Sequence, residues 1–334
     1  MRIALDAMGT DHAPSAEVTG AIGALEAHGA EMEILLVGDE EVIEAELARH
    51  PGAPRDRLRV HHAPDRVLPG DPPATVLRKK PLSSIAVGLR LQQEGEVDAF
   101  VSAGSTGAVM AASLFTLRPL PGVARPAVGT LLPTAQDSCL MLDAGANVDC
   151  KPQHLVQFAH LGHIYAQDLM GRARPRIGLL NIGEEPGKGD ELTAETYELL
   201  AREEHLNVVG NVEGRDLIEG VCDVVVCDGF VGNVLLKFYE SVAQFIIRLL
   251  RREMEQAGDV GDLDLESVFR TLDYAEYGGA PLLGVGGVSI ICHGESRPKA
   301  IRNALAVAAQ AVRSDMVRHM ARELASVAAR TEAP

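Results

Sequence analysis

The sequence predicts an α/β protein in which a mainly parallel sheet carries helices on both faces. Short runs rich in β-branched residues or leucine alternate with longer segments of helical periodicity along the chain, and this alternation is typical of parallel sheets. Glycines cluster after several predicted strands, where the loops of such sheets bind ligands. The predicted strands are 2–6, 33–37, 57–61, 98–102, 127–132, 138–143, 176–181, 207–212, 223–227 and 288–292. The predicted helices, after a first one that follows Pro14, are 40–49, 84–93, 105–116, 153–170, 191–203, 231–256 and 298–329.

Local signals set several of these boundaries. Pro14 suits the first turn of a helix, where its missing N–H has no partner to lose. Apolar residues then recur on one helical face, and the helix is expected to end near Gly29. Only a short link separates 127–132 from 138–143, which predicts an antiparallel hairpin within the otherwise parallel scheme.

The composition is that of a folded, acidic protein. The chain has 334 residues, of which 46% are apolar, and 31 Lys and Arg against 47 Asp and Glu give a net charge of −16. Such a balance argues against general nucleic-acid binding, which needs a basic face over the phosphates. No uninterrupted run of about 18 apolar residues is present, so no membrane-spanning helix is expected. The first residues, MRIALDAMG, lack the pattern of a secretory signal.

The cysteines predict free, mostly buried thiols. There are five of them, an odd number, and none forms a CxxC pair. This usage fits a reducing cytosol rather than a disulfide framework or a zinc site.

A phosphate site is predicted at the start of helix 105–116. Gly104, Ser105, Thr106 and Gly107 bring hydroxyls and backbone N–H groups to a helix N-terminus, where an anion is favoured. A tight turn is the simpler interpretation of any one such glycine cluster. The GxxxxGK[ST] nucleotide-binding loop is absent, and GxGxxG is absent after the first strand, which weakens a dinucleotide interpretation.

Two polar residues on strand-end loops are candidates for substrate chemistry. Lys188 lies between glycines in GEEPGKG, from which a lysine can reach a phosphate as a mobile point charge. Spacing alone favours a solvated loop lysine. Asn233 begins a long helix after DGFVG, where its amide can either donate to a developing oxyanion or cap the helix.

The histidines are ambiguous. His12 and His293 each follow a predicted strand, so each is a candidate acid or phosphate ligand, although bonding to a loop backbone is the simpler role. His154, His160 and His163 share one helix, but no HExxH motif or nearby cysteine pair supports a metal site. GxSxG is also absent, which disfavours a serine hydrolase.

Helix 231–256 is amphipathic and is followed by an acidic loop. Its apolar residues predict packing or dimerisation in preference to a membrane surface. Segment 257–268 is polar, acidic and glycine-containing, so we expect an exposed tip there that anionic lipid would repel.

Seven motifs occur in one order along the chain. They are 6–14 (DAMGTDHAP), 102–108 (SAGSTGA), 142–149 (LDAGANVD), 179–184 (LLNIGE), 210–216 (GNVEGRD), 228–234 (DGFVGNV) and 277–284 (YGGAPLLG). Together they resemble the bacterial phosphate acyltransferases of the PlsX family, and the resemblance extends from residue 1 to about residue 310.

The resemblance implies the fold of isocitrate and isopropylmalate dehydrogenases and of phosphotransacetylase, as a single α/β enzyme unit of two lobes with a cleft between them. It implies a cytoplasmic homodimer, or one peripheral at the inner face of the cell membrane, without metal or cofactor. The reaction it implies moves a fatty acyl group from acyl carrier protein to inorganic phosphate, and a membrane glycerol-3-phosphate acyltransferase consumes the acyl phosphate. The implied catalytic residues are Lys188 and Asn233. The implied substrate-binding residues are Asp6, Gly9, Asp11, His12, Gly104, Ser105, Thr106, Gly107, Asp143, Asn147, Asn181, Asn211, Arg215, Asp228 and His293.

The chain departs from the family pattern at several positions. Thr10 stands where a second glycine is usual, Ser105 where asparagine is common, and Val231 where threonine is common. Residues 78–84 (RKKPLSS) are an altered basic stretch that is a candidate contact for an acidic carrier protein, with a solvated loop as the alternative. The tip segment 251–268 is shorter and more acidic than is usual in the family, which argues against membrane docking through it.

Two other functions stay open at this stage. A nicotinamide-dependent dehydrogenase of similar fold would bind NAD, but its glycine fingerprint is missing. A non-catalytic dimeric scaffold would use helix 231–256 to bind a partner. Because glycine clusters, Lys188 and Asn233 gather at strand ends, an active site is favoured over a scaffold.

Overall fold

A computed structural model describes residues 1–68, 70–257 and 278–331 and contains two sheets. The strands are β1 Arg2–Asp6, β2 Glu33–Gly38, β3 Leu58–His62, β4 Ala99–Ser102, β5 Ala127–Val128, β6 Thr130–Pro133, β7 Ser138–Leu142, β8 Arg176–Leu180, β9 Asn207–Val212, β10 Val224–Val226, β11 Ala280–Leu283 and β12 Val288–Ile291. The helices are α1 Ser15–His28, α2 Glu40–Leu47, α3 Val76–Lys79, α4 Ser84–Gln93, α5 Thr106–Leu117, α6 Pro152–Asp168, α7 Glu191–Leu200, α8 Gly214–Glu219, α9 Gly229–Ala257, α10 Pro298–Arg313 and α11 Met316–Thr331.

The first sheet has the strand order β3-β2-β1-β4-β12-β11-β5. Strands β3, β2, β1, β4 and β12 run parallel, whereas β11 is antiparallel to both β12 and β5. The central strand β1 is buried from Ile3 to Asp6, as expected of a strand covered on both faces. Its carboxyl end, at Asp6, therefore lies at the same edge as those of β2 and β4.

The second sheet has the order β6-β7-β10-β8-β9. Strands β7, β10, β8 and β9 are parallel, and β6 is antiparallel to β7. The loop that follows β10 therefore has the loops that follow β7 and β8 as its neighbours. This order places 143–147, 228–233 and 181–188 side by side at one sheet edge.

The predicted strand 127–132 is divided between the two sheets. Ala127–Val128 pairs with β11 in the first sheet, and Thr130–Pro133 pairs with β7 in the second. Gly129 lies at the change, and a Cβ there would come within 3.1 Å of the Leu140 side chain. The hairpin with β7 is confirmed, but the single uninterrupted strand was wrong, because the chain leaves one sheet and enters the other at a glycine.

Other boundaries also differ from the sequence prediction. Helix 298–329 is broken after Arg313, because Asp315 has a left-handed φ of 54°. Strand β11 and helix α8 were missed, because four- and six-residue elements carry little periodicity. The expected acidic tip at 257–268 lies outside the described residues except for Ala257.

Burial agrees with the α/β scheme and with the cysteine prediction. Cys139, Cys222, Cys227 and Cys292 are buried thiols, Cys150 is half-buried, and all five are free. Sheet residues, the inner faces of the helices and these thiols together form two apolar clusters.

Candidate active site

Asp6 ties the first strand of the first sheet to its neighbour. Its carboxylate accepts a hydrogen bond from the Ser102 hydroxyl at 2.7 Å and one from the backbone N–H of Met8 at 3.0 Å. The Ser102 hydroxyl in turn accepts a bond from the N–H of Gly104 at 3.1 Å. Burial raises the pKa of Asp6, and these donors oppose the increase. Asp6 therefore holds the loop at 104 in place from beneath.

The loops after β1 and β4 touch through their main chains. A Cβ at Gly9 would lie 2.7 Å from the nitrogen of Gly104 and 2.8 Å from the carbonyl carbon of Ala103. Glycine at position 9 is thus required by close backbone approach. Gly9 and Gly104, two predicted site residues, are neighbours.

The loop that carries Asp11 and His12 is fixed by a buried carboxylate that the sequence analysis missed. Glu17 accepts hydrogen bonds from the Thr10 N–H and the Thr10 hydroxyl, and the same hydroxyl accepts one from the His12 N–H. Arg66 donates to the Thr10 carbonyl at 2.8 Å. His12 and Asp11 themselves are exposed. Glu17 is three residues after Pro14, in the first turn of α1. From the sequence alone it is recognisable only as a helical residue.

His293 lies next to the same loop. The N–H of Asp11 donates to the Gly294 carbonyl at 2.9 Å, which joins the loop after β12 to the loop after β1. The Nδ1 atom of His293 accepts a hydrogen bond from the Glu295 N–H at 3.3 Å. The loops that follow β1, β4 and β12 therefore come together.

The N-terminus of α5 faces outward from this group of loops. Ser105 occupies the N-cap position but forms no capping hydrogen bond with its side chain, and Ser105 and Thr106 are both exposed. The first N–H groups of the helix and two hydroxyls are thus presented together, an arrangement that favours an anion.

In the second sheet, Asp143 organises the loop after β7. Its buried carboxylate accepts hydrogen bonds from the N–H groups of Val128, Gly145, Ala146 and Asn147 at 2.6 to 3.3 Å. The Asn147 amide also donates to it, at 3.0 Å. Burial raises the pKa of Asp143 in spite of these donors. Both side chains are used to shape the loop.

Helix α9 begins directly on this loop. Asp228 accepts hydrogen bonds from the N–H groups of Phe230 and Val231, at 2.8 and 3.0 Å, and so caps the helix. A Cβ at Gly232 would lie 1.9 Å from the carbonyl oxygen of Asp143. The close approach brings Asn233 beside Gly145, whose Cβ would be 3.4 Å from that of Asn233.

Lys188 is carried by a loop that two asparagines hold. Asn181 donates to the Lys188 carbonyl at 3.0 Å, and Asn211 donates to the Glu185 carbonyl at 3.0 Å. Both asparagines therefore position the main chain on either side of the lysine, whose side chain is exposed. The side-chain oxygen of Asn211, Oδ1, is buried and accepts no hydrogen bond from the described residues.

Arg215 is exposed and surrounded by carboxylates. It contacts Glu213 at 3.0 Å, Glu184 at 3.3 Å and Asp216 at 3.8 Å. These pairs link α8 to the loop that carries Lys188 and offset much of the positive charge of the guanidinium group.

A cleft joins the two sheets. Thr106 and His293 from the first sheet line it together with Ala144 and Asn233 from the second. Lys188 is not among the lining residues, although its loop is next to that of Asn233 in the strand order. The structure thus brings together the loops at 9–12, 104–107, 143–147, 228–233 and 293, with 181–188 and 211–215 as a second cluster beside them.

The thiols near this cleft are not activated nucleophiles. Burial raises the pKa of Cys292 to about 12 and that of Cys227 well above 9, so neither thiol is a ready nucleophile. No group of three or more His, Cys, Asp or Glu side chains among the described residues is arranged to hold a metal ion. Two of the three helix histidines have local partners: His160 pairs with Glu203, and His154 accepts from the Lys151 N–H. The buried Nδ1 of His163 has no hydrogen-bond partner among the described residues.

The fold is that of the phosphotransacetylases. The chain is similar to a phosphotransacetylase from Streptococcus pyogenes with a TM-score of 0.65 and 17% identity, over 93% of this chain and 94% of that one. It is similar to a branched-chain phosphotransacylase from Enterococcus faecalis with a TM-score of 0.60 and 14% identity, over 93% and 99% of the two chains. At these identities the likeness concerns the fold.

The family follows from sequence. A family model described as fatty acid synthesis protein matches residues 1–319. The chain is 51% identical to a phosphate acyltransferase from Heliobacterium modesticaldum, over 95% of this chain and 96% of that protein, and 51% identical to one from Desulforamulus reducens, over 95% of each. The chain belongs to the PlsX family of phosphate acyltransferases, as its motifs predicted.

Proposed function

We propose that the protein moves a fatty acyl group from acyl carrier protein to inorganic phosphate and releases an acyl phosphate for phospholipid synthesis. The observation that supports this proposal is that one cleft is lined by both Thr106 and the amide of Asn233. Thr106 is the first residue of α5, and the N-terminus of a helix favours an anion. Phosphate itself is the nucleophile, so the raised thiol pKa values at the cleft are consistent with the reaction. The two sheets are the two lobes of one enzyme unit.

The chemical step needs orientation and charge stabilisation. An oxygen of HPO₄²⁻ attacks the thioester carbonyl, a C–O bond forms, and the C–S bond breaks as the tetrahedral intermediate collapses. The proton of the phosphate passes to the departing thiolate, so free carrier thiol and acyl phosphate result. Holding both reactants in this geometry supplies much of the rate increase.

Each site group has a role in this scheme. Phosphate lies at Ser105 and Thr106, beside His12 and His293, and the loops held by Asp6 and Asp143 form its walls. Asn233 donates a neutral hydrogen bond to the oxyanion. Lys188, placed by Asn181, offers a mobile positive charge to the phosphate or the oxyanion.

A small basic surface beside the phosphate loop fits an acidic carrier protein. Arg78 and Lys79 are exposed on α3, whereas Lys80 is paired with Asp71 at 2.6 Å. The segment just before α3 packs on the start of α5, since a Cβ at Gly107 would lie 3.0 Å from Pro73. On a chain with a net charge of −16, this local positive surface would guide an acidic partner to the site.

The outer face of α9 is apolar and fits a homodimer contact. Phe230, Val234, Phe238, Phe245 and Leu249 are exposed there, at 39 to 67%. By length and composition, residues Gly229–Arg252 are also long and apolar enough to cross a membrane. The sequence did not predict this, because polar residues interrupt the apolar ones along the helix. A second copy would bury this face, in a cytoplasmic protein that delivers acyl phosphate to a membrane glycerol-3-phosphate acyltransferase.

The test is acyl-phosphate formation from palmitoyl-carrier protein and inorganic phosphate, followed by thiol release. We expect turnover that requires phosphate and falls by ~10²-fold or more in Lys188→Ala, as is typical for loss of an oxyanion donor. Arg202→Ala, which removes an exposed cation from the end of α7, is the control and should be unchanged. A folded wild-type protein that is inactive in this assay and binds NAD would contradict the proposal.

A further inference from the structure

The cleft continues along the inner face of α9, away from Asn233. Leu236, Tyr239, Ala243 and Ile247 line it at intervals of three or four residues, which places them on one side of the helix. Residues 131–133 of β6 form the opposite wall. This inner face is distinct from the exposed apolar face of the same helix described above.

The lining of this inner groove selects an uncharged, apolar ligand. Its two oppositely charged residues on α9, Lys237 and Glu240, form an ion pair with each other at 2.7 Å. Leu132 and Ala243 are buried, so the wall and the floor of the groove are hydrocarbon. A ligand that carried a charge along its length would leave that charge unpaired.

The dimensions select a slender ligand. The space is about 230 Å³, below the ~300–1,000 Å³ of pockets that enclose a whole drug-sized molecule. From Asn233 to Ala243 the helix rises about 15 Å, and to Ile247 about 21 Å, at 1.5 Å per residue. A bilayer core of about 30 Å is two acyl chains end to end, so one long chain reaches about 15 Å.

We propose that this groove holds the acyl chain of the donor, with the thioester at Asn233, and that Ala243 sets the longest chain accepted. The inference rests on the proposed acyl-transfer function and adds a specificity-determining residue to it. Ala243 lies where the methyl end of a long chain would reach, and its small side chain leaves that position open. A larger side chain there would close the far half of the groove and leave the half next to Asn233 unchanged.

The test compares octanoyl- and palmitoyl-carrier protein as donors for Ala243→Phe. We expect kcat/KM for palmitoyl transfer to fall at least 10-fold, while octanoyl transfer changes less than 2-fold. Ile247→Phe, one helical turn further along, should reduce palmitoyl transfer less than Ala243→Phe does. Glu195→Phe introduces the same side chain at an exposed position of α7 that does not line the cleft, and it should alter neither donor.

The outcomes separate this inference from the proposed function. Wild-type turnover with an unchanged palmitoyl-to-octanoyl ratio in both Phe variants would overturn the groove assignment and leave acyl transfer intact. An equal loss on both donors would also overturn it. If Ala243→Phe does not fold, the palmitoyl-to-octanoyl ratio of Ile247→Phe tests the assignment, because Ile247 is only half-buried. Wild-type protein inactive on every acyl donor would instead overturn the proposed function.

Discussion

Glu17 holds Thr10 through two hydrogen bonds, from the backbone N–H at 2.7 Å and from the hydroxyl at 3.0 Å. The carboxyl group is completely buried, and burial raises its pKa from 4.5 to about 7. The hydroxyl bond depends on the side chain of Thr10. A titratable group thus lies directly under the loop that carries Asp11 and His12.

The first prediction concerns pH. Between pH 4.5 and about 7, the folded state keeps a proton on Glu17 that the unfolded state has lost. The contribution of this residue to the free energy of unfolding therefore decreases as the pH rises through this window, by up to about 3 kcal/mol. Glu17→Gln retains an acceptor and a side chain of the same shape, so its stability should lack this decrease.

Chemical denaturation at pH 5, 6, 7 and 8 checks this prediction. The difference in unfolding free energy between wild type and Glu17→Gln should fall between pH 5 and pH 7 and level off towards pH 8. Glu26→Gln alters an exposed carboxyl on the same helix and should follow the wild type at every pH. Parallel curves for wild type and Glu17→Gln would show that Glu17 does not titrate in this range.

The second prediction concerns the contact between the loops after β1 and β4. In Gly9→Ala the new methyl group would lie 2.7 to 2.9 Å from main-chain atoms of Ala103 and Gly104. Main-chain atoms cannot move aside as the end of a flexible side chain can. Overpacking of this kind costs about 1–3 kcal/mol. We expect lower stability together with a higher KM for phosphate, measured by denaturation and by steady-state kinetics.

Gly294→Ala is the matched control for Gly9→Ala. A Cβ at Gly294 has its nearest neighbour at 3.8 Å, although the residue lies on an adjoining loop. This variant should retain both stability and phosphate KM. Similar behaviour of the two variants would mean that the close approach at Gly9 has no energetic weight.

The third prediction assigns Asn181 a positioning role. Its amide donates to the Lys188 carbonyl, and its own oxygen accepts from the Ile182 N–H at 2.8 Å. Asn181→Ala should release the Lys188 loop, raise the KM for phosphate about 10-fold and reduce stability by only ~1 kcal/mol. Asn207→Ala, at the other end of the neighbouring strand β9, loses a comparable amide–carbonyl bond and should leave KM unchanged.

The test of Asn181→Ala compares its phosphate KM with its free energy of unfolding. A loss of activity that follows the loss of folded protein would indicate a purely structural residue. A changed phosphate KM in a fully folded variant is the result that a positioning role requires.

The strand-end loops could be predicted from the sequence, but residues that bind a ligand could not be distinguished there from residues that support a loop. Strand-end loops could be found because parallel strands end at one edge and glycines mark their turns. Asp6, Asp143 and Asp228 were all candidates to bind substrate. The carboxylates of Asp143 and Asp228 accept backbone hydrogen bonds within their own loops, and that of Asp6 accepts one from the Ser102 hydroxyl on the neighbouring strand. Whether they also touch substrate stays a prediction.

The features that were missed depend on contacts distant in sequence. Glu17 is recognisable only once α1 is packed beneath the loop at Thr10, and Arg66 reaches the same loop from 56 residues away. The division of segment 127–132 between two sheets likewise depends on β11, about 150 residues further on, which has no strong pattern of its own. Periodicity reports one face of an element and not its partner.

The last prediction concerns Asn233, the predicted oxyanion donor. The side chain is exposed and lies against Gly145, so its replacement should change the free energy of unfolding by less than ~0.5 kcal/mol. Asn233→Ala removes the donor and should reduce kcat by about 10²–10³-fold. Asn233→Asp has nearly the same shape but replaces the N–H donor with a negative charge next to the developing oxyanion, so we expect at least the same loss.

The comparison of Asn233→Ala with Asn233→Asp separates electrostatics from packing. If the amide only filled space beside Gly145, the isosteric aspartate would retain activity and alanine would not. If it stabilises the oxyanion, aspartate must be the worse or equal variant, and raising the pH cannot rescue it because the carboxylate stays charged. Gln153→Ala removes an exposed amide that does not line the cleft and sets the baseline. Initial rates of acyl-phosphate formation at saturating phosphate decide between these two roles.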